Sequence, residues 1–205
     1  MRLIAENLGQ AYGDHLLFAG LSFAVPSGAA LIVTGPNGSG KSTLLRTVAG
    51  LMRPQSGRVS LEGGADADLA EQCHWVGFAN ALKSNLTARE NLTHWHNILG
   101  GNADAPAIEA ALARLGVEQF ADLPAGILSS GLRRRLALAR LLVAARPLWL
   151  LDEPTTALDA ASTAVVAGLV RAHLEGGGIA LIATHLDFGL DPVQRLDLVP
   201  AQAAA

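Results

Sequence analysis

The chain has 205 residues, half of them apolar and 16% charged, with a formal net charge of −3 at pH 7. That length is enough for one domain with a real core, and the weakly acidic balance gives no electrostatic footprint for nucleic acid, so no nucleic-acid partner is expected. The single cysteine, Cys73, rules out an internal disulfide and any Cys-rich zinc site and suits a reducing compartment.

Residues 2–33 alternate apolar and polar with Gly and Pro punctuation, as in "LLFAGLSFAVPSG". This predicts short antiparallel strands leading into a buried strand, "ALIVTG". A helix is predicted from about Lys41 to near Gly50, followed by strands in "GRVSLEGG" and "HWVGF". From about Asn80 to Gly126 the pattern turns helical. Thr87 and Glu90 have capping-box spacing, and "APAIEAALARLG" carries Pro just inside its start and Gly at its end. After "LSSG" comes a basic amphipathic helix, "LRRRLALAR", then strand "PLWLLDE", helix "AASTAVVAGLVRAHL" and strand "IALIATH".

Strands alternating with helices imply an α/β fold with a parallel-sheet core. The expected plan is a single domain over residues 1–205, with its core at about 1–79 and 141–205 and an inserted helical subdomain at about 80–140. The tail "PAQAAA" is expected to fray. The best candidate for a membrane span, "LALARLLVAARPLWLL", is broken by Arg140, Arg146 and Pro147. The start, "MRLIAENLGQ", has Glu6 and Asn7 where a signal peptide is continuously apolar. A cytoplasmic protein that reaches a membrane only through a partner is therefore expected.

"GPNGSGKS" is a full GxxxxGK[ST] between an apolar strand and a helix, comprising Gly35, Pro36, Asn37, Gly38, Ser39, Gly40, Lys41 and Ser42. The glycines let backbone N–H groups curl around a β-phosphate, Lys41 neutralises phosphate charge, and the Ser42 hydroxyl is a Mg2+ ligand. Thr43, one residue further, reaches toward the α-phosphate. "LWLLDEP" ends a buried strand in Asp152, suited to hold Mg2+ through water, with Glu153 beside it as the general base for an attacking water. "IALIATH" ends a third strand in His185, which is placed to hydrogen-bond a γ-phosphate. ATP and Mg2+ are the expected ligands.

The order "GPNGSGKS", "LSSG", "LLDEPTTALD" and "ATH" resembles the ATP-binding cassette (ABC) ATPases over nearly the whole chain. The resemblance implies a P-loop NTPase fold with an N-terminal antiparallel β subdomain. It further implies that Ser129, Ser130 and Gly131 head a helix that binds the nucleotide of a second subunit, making the active species a homodimer. Tyr12 stands where the family places an adenine-stacking aromatic, and Asp159 lies in the loop that couples the two sites across the dimer. Three arginines, Arg133, Arg134 and Arg135, are expected in the first turn of that helix, against its dipole. Their charge is balanced either by polyphosphate or an acidic partner, or by solvent and local carboxylates.

Two positions depart from the family pattern. Leu132 replaces the Gln that closes the signature, and Ala79 replaces a Gln that touches Mg2+ and senses the membrane subunit; Asn80 is the nearest polar substitute. Glu153 and His185 are intact, so hydrolysis is expected.

Within the family, "ALKSNLTARENLTHWHNILGG", "LSSGLRRRLALARLL", "RPLWLLDEPTTALD" and "ATHLDFGL" most resemble the ATP-binding subunits of cytochrome c maturation systems. That implies docking on integral-membrane permease subunits at the cytoplasmic side of a bacterial inner membrane, with ATP hydrolysis driving haem export. His94 and His96 are two apart on a helix and face different ways, with Trp95 inward, so no direct haem binding is expected. The alternatives are a soluble ABC ATPase in assembly, another small exporter's nucleotide-binding subunit, or a degenerate module that dimerises on ATP without turnover.

Overall fold

The computed structural model describes residues 1–13, 15–100 and 105–199. Their contacts divide the chain into two compact units, built from the described residues of 1–77, 147–153 and 170–205, and of 78–146 and 154–169.

The first unit holds two sheets. β1 (Arg2–Tyr12), β2 (His15–Pro26) and β4 (Ser56–Glu62) form an antiparallel sheet in the order β2-β1-β4. β1 and β2 run 11 and 12 residues, longer than the short strands expected, because register shifts let them keep pairing past local irregularities.

β3 (Ala30–Thr34), β5 (Cys73–Val76), β6 (Leu148–Asp152), β7 (Ile179–Ala183) and β8 (Val193–Asp197) form a second sheet, ordered β5-β6-β7-β3-β8 and parallel throughout. Every residue of β6 and β7 is buried, as a parallel strand covered on both faces requires. The pairings align Val33 with Ala183 and Ala183 with Asp152, so three strands end side by side at one edge. Helix α1 (Lys41–Val48) contributes Leu44, Leu45 and Val48 to a core that also takes Leu3 and Leu8 from β1, Leu31 and Val33 from β3, and Leu150 and Leu181. A short helix, α2 (Leu69–Gln72), and the last strand, β8, lie outside the elements expected above. The tail 200–205 lies outside the described residues.

The second unit is helical. α3 (Ala88–Ile98), α4 (Ala105–Arg114) and α5 (Ser130–Ala139) bury Leu92, Ile108, Leu112, Leu136 and Leu138. The capping box at the start of α3 is complete: the Glu90 N–H donates to Thr87 Oγ1 at 3.1 Å, and the Thr87 N–H donates to Glu90 Oε2 at 2.8 Å. Arg89 pairs with both Glu109 and Asp122. Helix α6 (Ala160–Glu175) continues from this unit into the first.

Candidate functional site

The expected phosphate loop leaves β3 at Thr34 and closes at Gly40, immediately before α1. Two residues inside it, Gly38 and Gly40, have φ of +83° and +97°, conformations that an L side chain rarely adopts. Gly35, at φ +136°, has a second reason to be glycine. A Cβ there would lie 2.4 Å from the Leu198 carbonyl oxygen and 2.8 Å from Ser39 Oγ. No side chain caps α1, so the positive end of the helix is left to an anion.

Lys41 is buried and arches back across the loop, its Nζ donating to the carbonyls of Gly35 at 2.7 Å and Pro36 at 3.0 Å. The Ser39 hydroxyl is buried with no hydrogen-bond partner among the described residues. A buried orphan hydroxyl, two left-handed glycines and a lysine held over the loop make a cradle that fits a phosphate chain.

The strand ends supply further polar groups at this edge. Asp152 closes β6 and is buried. Glu153 follows with φ +45°, an uncommon conformation for a side-chain-bearing residue, and its N–H donates to the Ala183 carbonyl at 2.9 Å. Beyond β7, Thr184 is buried and its Oγ1 accepts from the Leu186 N–H at 3.1 Å, while His185 is exposed. Because β3, β7 and β6 are adjacent and in register, Gly35, His185 and Glu153 each leave their strand at the same edge, with neighbouring strands about 4.8 Å apart. The donors offered there, the Ser42 hydroxyl and the Asp152 carboxylate, are hard oxygens of the kind Mg2+ takes together with phosphates and water.

Tyr12 ends β1 at the hairpin with β2, opposite His15, and is 80% exposed. That hairpin adjoins the phosphate loop. A Cβ on Gly40 would lie 3.2 Å from Leu17 Cβ and 3.4 Å from Phe18 Cδ1.

In the helical unit Ser129 is the N-cap of α5, its Oγ accepting from the Leu132 N–H at 3.2 Å. Ser129 and Ser130 are exposed and Gly131 is half-buried. A Cβ on Gly131 would lie 3.0 Å from the carbonyl of Ala157, itself at φ +66° in the loop that leads to Asp159. Asp159 caps α6 by accepting from the Ser162 N–H at 2.7 Å, and its hydrogen bonds to Ser162 hold its carboxyl below the usual range.

The arginines are not where the sequence reading put them. The first helical residue of α5 is Ser130, so Arg133 stands fourth and the other two lie in the second turn, where the dipole has faded. Their described partners are mostly peptide carbonyls. Arg133 Nη1 donates to Gly126 O at 3.4 Å, and Arg135 Nη1 donates to Leu115 O and Gly116 O at 3.1 and 3.0 Å. Arg134 Nε donates to Pro154 O at 2.9 Å, and its Nη1 to Asn80 Oδ1 at 3.2 Å. Asn80 is therefore already engaged, and Ala79 beside it is exposed. Trp95 packs under Arg140, whose Cζ lies 4.4 Å from the ring centroid, and His96 Nδ1 lies 3.2 Å from the Val143 carbonyl. Sequence reasoning missed Arg134 and Arg140 as structural groups. For Arg140 the available signal was its place, alone, in the apolar run 136–142; Arg134, flanked by two other arginines, gave none.

Residues 18–156 match the profile of a family described as "ABC transporter". The chain is 50% identical over 203 residues to the cytochrome c biogenesis ATP-binding export protein CcmA of Agrobacterium fabrum, covering 97% of this chain and 95% of that one. It is 51% identical over 193 residues to the protein of that name from Mesorhizobium japonicum, covering 93% and 95%. Among solved structures, a putative ABC transporter ATP-binding protein from Pyrococcus furiosus superposes with a TM-score of 0.83 at 23% identity, covering 97% of this chain and 98% of that one, a likeness of fold. Among the described residues no helix is long and apolar enough to cross a membrane. The chain belongs to the ABC transporter family as one of its ATP-binding ATPase subunits, within the group of cytochrome c biogenesis ATP-binding export proteins.

Proposed function

We propose that this chain hydrolyses MgATP as a homodimer docked on integral-membrane permease subunits, at the cytoplasmic side of a bacterial inner membrane, and so drives the haem-export step of cytochrome c maturation. The observation that carries the hydrolytic part is the shared edge of β3, β6 and β7, which gathers the phosphate cradle, Asp152 with Glu153, and His185. The transport part rests on the likeness to the cytochrome c biogenesis export proteins.

Each residue has a role that follows from its chemistry. The backbone of residues 35–43 and Lys41 hold the phosphates, and Ser42 with Asp152 holds Mg2+, whose bound charge offsets that of the phosphates. Glu153 accepts the proton of the attacking water, and His185 hydrogen-bonds the γ-phosphate. Tyr12 stacks on adenine. Ser129, Ser130 and Gly131 complete the partner subunit's site, and Asp159 links the two halves. Haem is moved by the complex and is given no ligand on this chain.

The test is to tag the chain, solubilise native membranes gently with MgATP present, and identify by mass spectrometry what co-purifies. Small integral-membrane proteins of cytochrome c maturation support the export reading. Recovery in the soluble fraction with no membrane protein overturns it and leaves the ATPase standing.

A further inference from the structure

The end of β8 grips the point where the phosphate loop leaves β3. Thr34, the last residue of β3, is in register with Asp197, the last of β8, and both belong to the first unit. The Leu198 N–H donates to the Thr34 carbonyl at 2.9 Å. The Thr34 hydroxyl has one proton, and its nearer acceptor is Asp197 Oδ1 at 3.1 Å; the Leu196 carbonyl stands at 3.5 Å. Leu198 is buried, and its carbonyl oxygen fills the space where a Cβ of Gly35 would stand.

What happens at Gly35 reaches the charged group of the loop through Lys41. That side chain is 8% exposed, and its ammonium is held by two carbonyls at the start of the loop, Gly35 O at 2.7 Å and Pro36 O at 3.0 Å. A buried ammonium cannot give up such acceptors cheaply, so it follows them when they move. The orphan hydroxyl of Ser39 faces the same residue, 2.8 Å from that Cβ position. Gly35 itself, at φ +136°, has the widest conformational freedom of any residue type. The direction of its carbonyl is therefore set by what holds it from outside: Asp197 and Leu198 behind it, Lys41 across the loop.

We propose that Asp197 is a positioning residue for the phosphate loop: through the Thr34 hydroxyl, and together with the Leu198 backbone, it fixes the angle at which the loop departs and so sets the affinity for nucleotide phosphates. A carboxylate at this edge repels a phosphate chain, so its favourable effect comes through the hydrogen bond and not through its charge. Asp197 is exposed and Thr34 half-buried, so loss of their bond leaves the core and the Leu198 N–H bond in place while loosening the Thr34–Gly35 link. β8 is the edge strand, paired with β3 alone, so this grip has no second strand behind it. The inference rests on the reading of residues 35–43 as the phosphate site.

The experiment uses the full chain and its Thr34→Val, Asp197→Ala and Asp197→Asn variants, with the T34V/D197A double variant. Equilibrium binding of a non-hydrolysable ATP analogue with Mg2+ is measured, together with MgATP turnover over a range of substrate and thermal unfolding of the free chain. T34V and D197A are each expected to weaken analogue binding about three- to fivefold, as loss of one hydrogen bond implies, with kcat within about twofold of wild type. The double variant is expected to bind no more weakly than the weaker single one, because both changes remove the same bond. D197N keeps an acceptor and loses the charge, and is expected to bind at least as tightly as wild type. Melting temperatures of the free chains are expected to stay within about 2 °C of one another. If D197A does not fold, T34V and D197N, which keep the shapes of the side chains they replace, carry the test. Analogue affinity in T34V or D197A within 1.5-fold of wild type, to be resolved by about five replicate titrations, overturns the proposal. So does an additive double variant, a D197N as weak as D197A, or a loss of affinity that merely tracks a fall in melting temperature. A wild-type chain that fails to bind the analogue overturns the phosphate-site reading and this one together; a wild type that binds, with indifferent variants, overturns this one alone.

Discussion

Trp149 and His173 stack face to face in the first unit, their ring centroids 4.0 Å apart and their planes 8° from parallel. His74, buried, meets the same tryptophan edge-on at 6.5 Å. Burial lowers the pKa of His173 from its ordinary 6.5, against the opposing effect of hydrogen bonds to the Ile179 and Pro147 carbonyls. The folded state therefore disfavours the imidazolium, and below pH 6.5 the unfolded chain binds more protons than the folded one. Stability contributed by this site is present above that pH and is lost as pH falls through it. Urea unfolding from pH 7.5 down to 5.5 is expected to show a steeper decline for wild type than for His173→Phe, which keeps a ring against Trp149 and cannot titrate. Equal slopes would refute the assignment.

Replacing Glu153 by Gln removes the proposed base and preserves size and hydrogen-bonding capacity. Turnover is expected to fall by about a hundredfold or more, with ATP binding retained and an ATP-bound dimer accumulating in size-exclusion chromatography. Turnover equal to wild type would remove Glu153 from that role.

The Ala79→Gln change restores a polar group next to an Asn80 that Arg134 already engages. If the small side chain weakens metal binding here, A79Q lowers the Mg2+ concentration needed for half-maximal turnover by about threefold or more. A Mg2+ titration that superposes on wild type would show that Ala79 costs the site nothing.

Asp159 carries two separable jobs, an N-cap on α6 that the structure records and a proposed link between dimer halves. Asp159→Asn keeps a capping oxygen and removes the charge; Asp159→Ala removes both. A lower melting temperature is expected for D159A and not for D159N, whereas a coupling role lowers turnover in both. Loss of turnover in D159A alone, in step with its stability, would reduce Asp159 to a cap.

Gly35→Ala places a methyl group 2.4 Å from the Leu198 carbonyl oxygen, a backbone atom, at a φ of +136°. Destabilisation by about 2–4 kcal/mol is expected from chemical denaturation, along with loss of ATP binding. A variant of wild-type stability would mean that the Leu198 segment shifts freely.

Much of this protein was legible in its sequence, and for local reasons. The phosphate loop is written in glycine spacing because left-handed backbone demands it at Gly38 and Gly40. β6 and β7 are written as unbroken apolar runs because both of their faces are covered, and the start of α3 is written in Thr87 and Glu90 because a cap is made three residues apart. These features depend on near neighbours in the chain.

Tertiary structure alone decided the rest. β8 lies beside β3 across 163 residues, from Ala30 paired with Val193, and its polar, half-exposed pattern marks it only as an edge strand once the sheet exists. The alignment of Val33, Ala183 and Asp152 is a matter of register between strands remote in sequence. The arginines of α5 show the limit most clearly. Their charge suggested an anion or a carboxylate, and the described contacts include the carbonyls of Gly126, Pro154, Leu115 and Gly116 and the side chain of Asn80. Every residue owns a carbonyl, so such a partner leaves no mark in the sequence; only packing decides which one stands within reach of a guanidinium.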